Sequence, residues 1–166
     1  MKRTFVGKTK NGVDVFVDLN NSDAATHLRD TEGLFEVSQE AIARIDAEDK
    51  HIEMHIDMGR EVGMCDLVKT DETDDTFYAK RLGRKIYSRF VKNKSARPTN
   101  YITIVLDKQS DGSYHMLTVF FGRVAPPFPY GKDDPNDEAR GFWSKHALVV
   151  GNQVILEDTI RYDCPW

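Results

Sequence analysis

Residues 76–94 run TFYAKRLGRKIYSRFVKNK, and the architecture of the chain turns on how this stretch is read. Ala79, Leu82, Ile86 and Phe90 recur at intervals of three and four, the period of one face of an α-helix. The spacing predicts an amphipathic helix over Thr76–Lys94 with those four residues toward the core. Asp71-Glu72-Thr73-Asp74-Asp75 immediately before it would place negative charge at the helix N-terminus, where the backbone dipole favours it. On such a helix Arg81, Arg84, Lys85, Ser88 and Lys92 turn outward or toward a groove, and Arg81, Arg84 and Ser88 share one face.

Working outward, charge sets this stretch apart. The 166 residues carry a net charge of −4, yet residues 76–98 hold eight Lys/Arg and no Asp/Glu. Residues 1–75 hold nine against eighteen, and residues 99–166 six against nine. An acid-free basic block inside an acidic chain is a localised anion-attracting feature.

C-terminal to the block, Arg97-Pro98 breaks the pattern. Tyr101–Leu106 and Tyr114–Gly122 then form two β-rich runs joined through Ser110-Asp111-Gly112, a predicted antiparallel hairpin at the sheet centre. The proline-rich stretch Ala125–Pro135 is expected as an irregular surface excursion. Asp137–His146 follows as a short helical turn and Val154–Arg161 as the last strand.

N-terminal to the block, Lys10-Asn11-Gly12 between Thr4–Val6 and Val13–Leu19 signals an opening β-hairpin. Asn20-Asn21-Ser22-Asp23 offers caps for a helix around Ala24–Arg29, and a second helix is expected over Ser38–Glu48. His51–Met58 alternates strictly, with Ile52, Met54, Ile56 and Met58 opposite His51, Glu53, His55 and Asp57, a strand with one buried face. His51 and His55 would suit a metal on a helix, but on a strand they are solvent-facing histidines on a polar face. Glu61–Val68 is predicted as a further short strand.

The fold class expected is therefore α+β, with helices packed on a four- or five-stranded antiparallel sheet and an N-terminal hairpin/helix extension. Residues 1–60 form an acidic accessory layer and residues 61–166 the principal domain. No apolar run approaches bilayer length, and no secretory leader is visible in MKRTFVGKTKNGVDV, so a cytoplasmic protein is expected. Cys65 and Cys164 lack CxxC spacing and are expected as free thiols.

No phosphate loop, GxSxG, HExxH or paired CxxC is present, which removes the main signatures of nucleotide hydrolysis and zinc chemistry; no cofactor or metal is expected. What remains suits phosphodiester chemistry. Arg81 and Arg84 can hold phosphate and stabilise developing charge. The Thr118 hydroxyl on a strand can fix an oxygen, and His146, after Trp143 and Ser144, can move a proton near neutral pH. Each residue also has a purely structural reading: a histidine beside Trp is commonly a partly buried framework residue, the arginines can pair with the acidic N-terminal third, and Thr is a common strand residue. His115 is expected on the face opposite Thr118 and ranks below His146.

The runs Phe77–Arg84 (FYAKRLGR), Arg89-Phe90-Val91-Lys92, Tyr101–Leu106, Tyr114–Gly122 (YHMLTVFFG) and Phe142–Leu148 (FWSKHAL) together resemble the phage and mobile-element branch of the barnase–EndoU–colicin–RelE-like ribonuclease group, over about residues 61–166. The resemblance implies helices on an antiparallel sheet and RNA cleavage without metal, by attack of the ribose 2′-hydroxyl on the adjacent phosphate. It implies catalytic roles for His146, Arg81 and Thr118, substrate contacts from Arg84, Lys85, Ser88, Arg89 and Lys145, and a toxin or phage effector acting on RNA such as tRNA and met by an immunity- or antitoxin-like protein. The alternative is a non-catalytic RNA- or protein-binding accessory protein of the same fold; a third reading is a phage accessory protein that docks a partner through the acidic N-terminal third.

Overall fold

The first sheet is nucleated by alternation. β1 (Arg3–Lys8) and β2 (Asp14–Asp18) pair antiparallel across the Thr9–Val13 turn, with Val6, Val15 and Val17 buried. The computed structural model of the chain describes residues 3–20, 22–151 and 153–166, so Asn21 of the expected cap and the first two residues of the leader reading lie outside it. Ser22 is the cap: the Ala25 N–H donates to its Oγ at 3.0 Å, starting α1 (Asp23–Asp30). α2 runs over Leu34–Ile42, four residues earlier than expected. It begins at Gly33 in a left-handed conformation and stops at Ala43. Residues 45–47 then return to the first hairpin, where the Lys10 N–H donates to Ile45 O and the Asn11 side chain to Ala47 O.

β3 (His51–Asp57) pairs antiparallel with β9 (Tyr101–Lys108), which pairs antiparallel with β10 (Tyr114–Phe121). The sheet order is β1-β2-β10-β9-β3. Because β10 also runs parallel to β2, the sheet is mixed, not antiparallel throughout. The core beneath it unites Leu34, Ala41 and Ile42 with Val15, Val17, Ile52, Ile104, Leu106, Tyr114 and Met116.

The region expected as one strand, Glu61–Val68, is instead two: β4 (Gly63–Cys65) and β5 (Leu67–Lys69). β4 pairs with β8 (Arg97–Thr99) in a two-stranded ribbon. The expected helix Thr76–Lys94 is a β-hairpin, β6 (Thr76–Lys80) and β7 (Tyr87–Val91), in the register Phe77↔Phe90, Tyr78↔Arg89 and Ala79↔Ser88. Three- and four-residue spacing of four apolar residues arose by coincidence here. Leu82, assigned to the helix core face, is 65% exposed, and Gly83 turns the chain at φ 77°. The aromatic and β-branched residues clustered at both ends favour the pleated alternative.

α3 (Asp137–Trp143) is capped by Asn136, and β11 (His146–Val149), unforeseen from sequence, runs parallel to β7 and antiparallel to β5. The second sheet has the order β5-β11-β7-β6 and is likewise mixed. The expected last strand Val154–Arg161 is reduced to isolated bridges, Arg81↔Ile155 and Tyr78↔Arg161, around a single 3₁₀ turn at Glu157–Thr159. The proline-rich loop is irregular as expected, but Phe128 within it is buried with Trp143 and Ala139.

The chain forms two compact units, one of Met1–Met64 with Pro98–Val124 and one of Cys65–Arg97 with Ala125–Trp166. The expected division at 60/61 falls near the first crossing, but the β9–β10 hairpin, assigned from sequence to the second domain, completes the first unit. That pairing of distant segments follows from β9 and β10 supplying the partners that β2 and β3 lack. No helix is long and apolar enough to cross a membrane among the described residues.

Candidate functional site

The β6–β7 hairpin places the basic block on an exposed turn. The Arg84 N–H donates to Arg81 O at 3.0 Å, and Arg84 and Lys85 lie exposed at the tip. Arg81 closes β6 through its bridge to Ile155 and is half-buried. Its Nε is buried without a hydrogen-bond partner, and its guanidinium lies 5.9 Å from the Phe128 ring centroid. Burial first, and the neighbouring Arg84 second, lower its pKa. A desolvated cation beside another cation is a place where an anion is favoured.

The block is electrostatically uncompensated. Of its eight Lys/Arg, only Lys94 meets a carboxylate, Asp74 at 3.1 Å, among the described residues. In the first unit, by contrast, Arg3, Lys8, Arg29, Arg44 and Arg60 all sit in ion pairs. The pairing of Arg81 and Arg84 with acidic residues, entertained from sequence, is not found. Lys80 instead lies 5.1 Å from the Tyr87 ring, and Lys92 lies 5.2 Å from Phe77 and 5.7 Å from Tyr162. Tyr162 is 67% exposed, so an aromatic face is open beside a free ammonium group.

Arg89 and Ser88, expected to touch substrate, are enclosed. Arg89 Nη1 donates to Thr70 Oγ1, Trp143 O and His146 O at 2.8, 3.2 and 3.1 Å. A cation on the last carbonyl of α3, that of Trp143, is well placed against the helix dipole, and its further bond to His146 O ties down the turn between α3 and β11. Arg89 is therefore a buried anchor of this turn and not a side chain open to a ligand. The Ser88 hydroxyl is buried opposite Ala79.

His146 opens β11, half-buried. Its ring stacks on Phe142, with centroids 3.9 Å apart and planes 3° from parallel, and its Nδ1 lies 2.9 Å from Phe142 O. A carbonyl only accepts, so Nδ1 carries the proton and the neutral ring keeps its lone pair on Nε2. That is the tautomer a general base needs. Lys145 is exposed next to it.

Arg81 and His146 lie at the two ends of one aromatic cluster. Phe128 stacks on Trp143 at 3.7 Å, Trp143 meets Phe142 edge-on at 5.1 Å, and Trp166 meets Tyr78 at 5.2 Å. The members missed from sequence, Phe128, Trp166 and Tyr78, are scattered over 89 positions and carried no periodic signal; the Pro-Pro-Phe-Pro-Tyr run was the only local hint.

No family model, no curated protein and no solved structure matches this chain.

Thr118 belongs to the first unit. A bulge between Met116 and Thr118 shifts the β10 register, so Val119 and Phe121 turn to the core and Thr118 falls on the same half-buried side as His115, not opposite it. Its hydroxyl donates to Asp23 Oδ2 at 2.5 Å, and His27 Nε2 reaches the same carboxylate oxygen at 3.5 Å. Cys65 and Cys164 are both free thiols, and burial raises the pKa of Cys65, which makes it a poor nucleophile. No cluster of metal-ligating side chains occurs among the described residues.

Proposed function

We propose that this protein binds single-stranded RNA through the basic β6–β7 hairpin of its second unit. The observation that carries the reading is the row of cations, Lys80, Arg81, Arg84, Lys85 and Lys92, left without carboxylate partners in a chain of net negative charge. Phosphates replace the missing counter-ions, and Tyr162 beside Lys92 offers a face on which a base can stack. The choice of RNA among polyanions rests on the resemblance of the FYAKRLGR and FWSKHAL runs to the ribonuclease group.

A second reading adds cleavage, and the proton placement on His146 favours it. With Nδ1–H held by Phe142 O, Nε2 can accept the proton of a ribose 2′-hydroxyl as that oxygen attacks the adjacent phosphate. Arg81 offsets the charge that develops, the P–O5′ bond breaks, the departing 5′-oxygen takes a proton from water, and a 2′,3′-cyclic phosphate and a free 5′-hydroxyl are left. Thr118, already donating to Asp23 in the other unit, has no part in this version.

Fluorescence anisotropy with a labelled single-stranded RNA at two salt concentrations tests the first reading. Binding should weaken with salt, and Arg84→Ala combined with Lys85→Ala should flatten the salt slope by roughly 1.4, twice the increment per phosphate contact. Incubation with tRNA in EDTA, comparing wild type with His146→Ala, tests the second. RNA that neither binds nor is cut would sink both; binding without cutting would leave the first alone.

A further inference from the structure

The two edges of the five-stranded sheet are finished differently. β1 is interrupted by a bulge between Phe5 and Gly7, and the Gln39 side chain donates to the Val6 carbonyl at 2.7 Å, so this edge is plugged as edges commonly are. β3 has no such cover among the described residues. It pairs only with β9, and His51, Glu53, Met54, His55 and Asp57 are exposed.

Which backbone groups face the open side follows from the register. Lys50 O accepts from the Lys108 N–H and the Met58 N–H donates to Asn100 O, so even-numbered residues of β3 turn their amides toward β9. In an antiparallel ladder the intervening residues point the other way. His51, Glu53 and His55 therefore present N–H and C=O groups outward, with no backbone partner among the described residues. The outer Asp57 carbonyl receives a long contact, 3.4 Å, from Arg44.

The strand His51-Ile-Glu-Met-His-Ile-Asp57 is complementary to itself when reversed about Met54. Antiparallel pairing with a second copy sets His51 against Asp57 of that copy and Glu53 against His55, with Ile52 against Ile56 and Met54 against Met54. In this register the hydrogen-bonded pairs are the odd-numbered residues, the ones whose amides are free. Shifting the register by two residues either way sets Glu53 against Glu53 or His55 against His55. His51 Nδ1 is held by Asp107 Oδ1 at 2.6 Å and His55 Nδ1 by Thr103 Oγ1 at 3.0 Å; the Thr103 hydroxyl itself donates to Gly122 O, so both rings carry Nδ1–H, and in the doubly protonated ring each Nε2–H donates to the facing carboxylate. On the other face Met54, 38% exposed in an otherwise core-facing row, gains a cover.

The geometry points to a two-fold homodimer in which β3 pairs with β3 of a second copy, joining two five-stranded sheets into one of ten strands. A dilution series by analytical ultracentrifugation tests it, with the single substitutions Glu53→His and His55→Glu and the double swap of both. Each single change juxtaposes like side chains twice across the axis, so dimer affinity should fall about tenfold, and the double swap should restore it. His55→Pro removes an outward N–H without touching the β9 ladder and should give a folded monomer. In a background of Cys65→Ser and Cys164→Ser, Met54→Cys should form a disulfide-linked dimer, because the axis lies at a close non-hydrogen-bonded pair. A wild type that stays monomeric at every concentration, or a dimer indifferent to these changes, overturns the proposal.

Discussion

Arg89 shows how a side chain can shape a candidate site from within the packed interior. Its guanidinium is buried and holds two hydroxyls and two backbone carbonyls, with no carboxylate partner among the described residues. Removing it leaves those acceptors unmet in a dry interior, so Arg89→Ala should cost about 3 kcal/mol in urea unfolding. Arg89→Lys should not restore it, since an ammonium cannot span the same fork. Its cross-strand neighbour Tyr78 gives a second prediction. Burial first, then the Cys164 thiol beside it, outweigh the Arg89 guanidinium and push the phenol up to about 12. The folded value lies above the ordinary value near 10, so the stability linked to this group is complete below pH 10 and is lost as pH climbs through about 12. Burial also raises the Tyr114 phenol, so absorbance at 295 nm should show two tyrosines ionising late, and Tyr78→Phe should remove one of those two late steps.

At the scale of elements, the hairpin that replaced the expected helix makes Gly83 diagnostic. In a helix Gly83→Ala would stabilise by about 1 kcal/mol. At φ 77° a Cβ is strained, and the same change should destabilise by roughly 1–2 kcal/mol, read from the denaturation midpoint. β3 was legible because strict period-two alternation over seven residues arises from little else than a strand with one buried face, and β9 and β10 because two runs rich in β-branched and aromatic residues flank a Ser-Asp-Gly turn. β6–β7 was not, because helical spacing arose by chance and the β-formers at each end were outvoted by it. β11 is four residues long and abuts α3, too little chain for a period to declare itself. The candidate site was half legible: the unpaired basic block stood out in composition, whereas the alliance of Arg81, Phe128, Trp143 and His146 depends on contacts between distant segments.

For the whole molecule, charge and connectivity are the governing facts. The first unit carries ten Lys/Arg against fifteen Asp/Glu and the second thirteen against twelve, so an anionic ligand is steered to the second unit and repelled by the first. All five strands of the first sheet lie before residue 122, while β11, inner neighbour of β7, lies after it. A chain cut after Val124 should therefore keep slow hydrogen exchange in β9 and β10 and lose it in β6 and β7; uniform loss would mean that the first unit cannot stand without the second.

The interleaving also matters during synthesis. β2 and β3 leave the ribosome long before β9 and β10, the strands that flank them in the finished sheet. At bacterial-type elongation rates the 64 residues from Asp57 to Phe121 take roughly 3–13 s to appear. Over that interval the β1–β2 hairpin and β3 lack the two strands that lie between them in the finished sheet, and Val15, Val17 and Ile52 stay without most of their core until the central hairpin arrives.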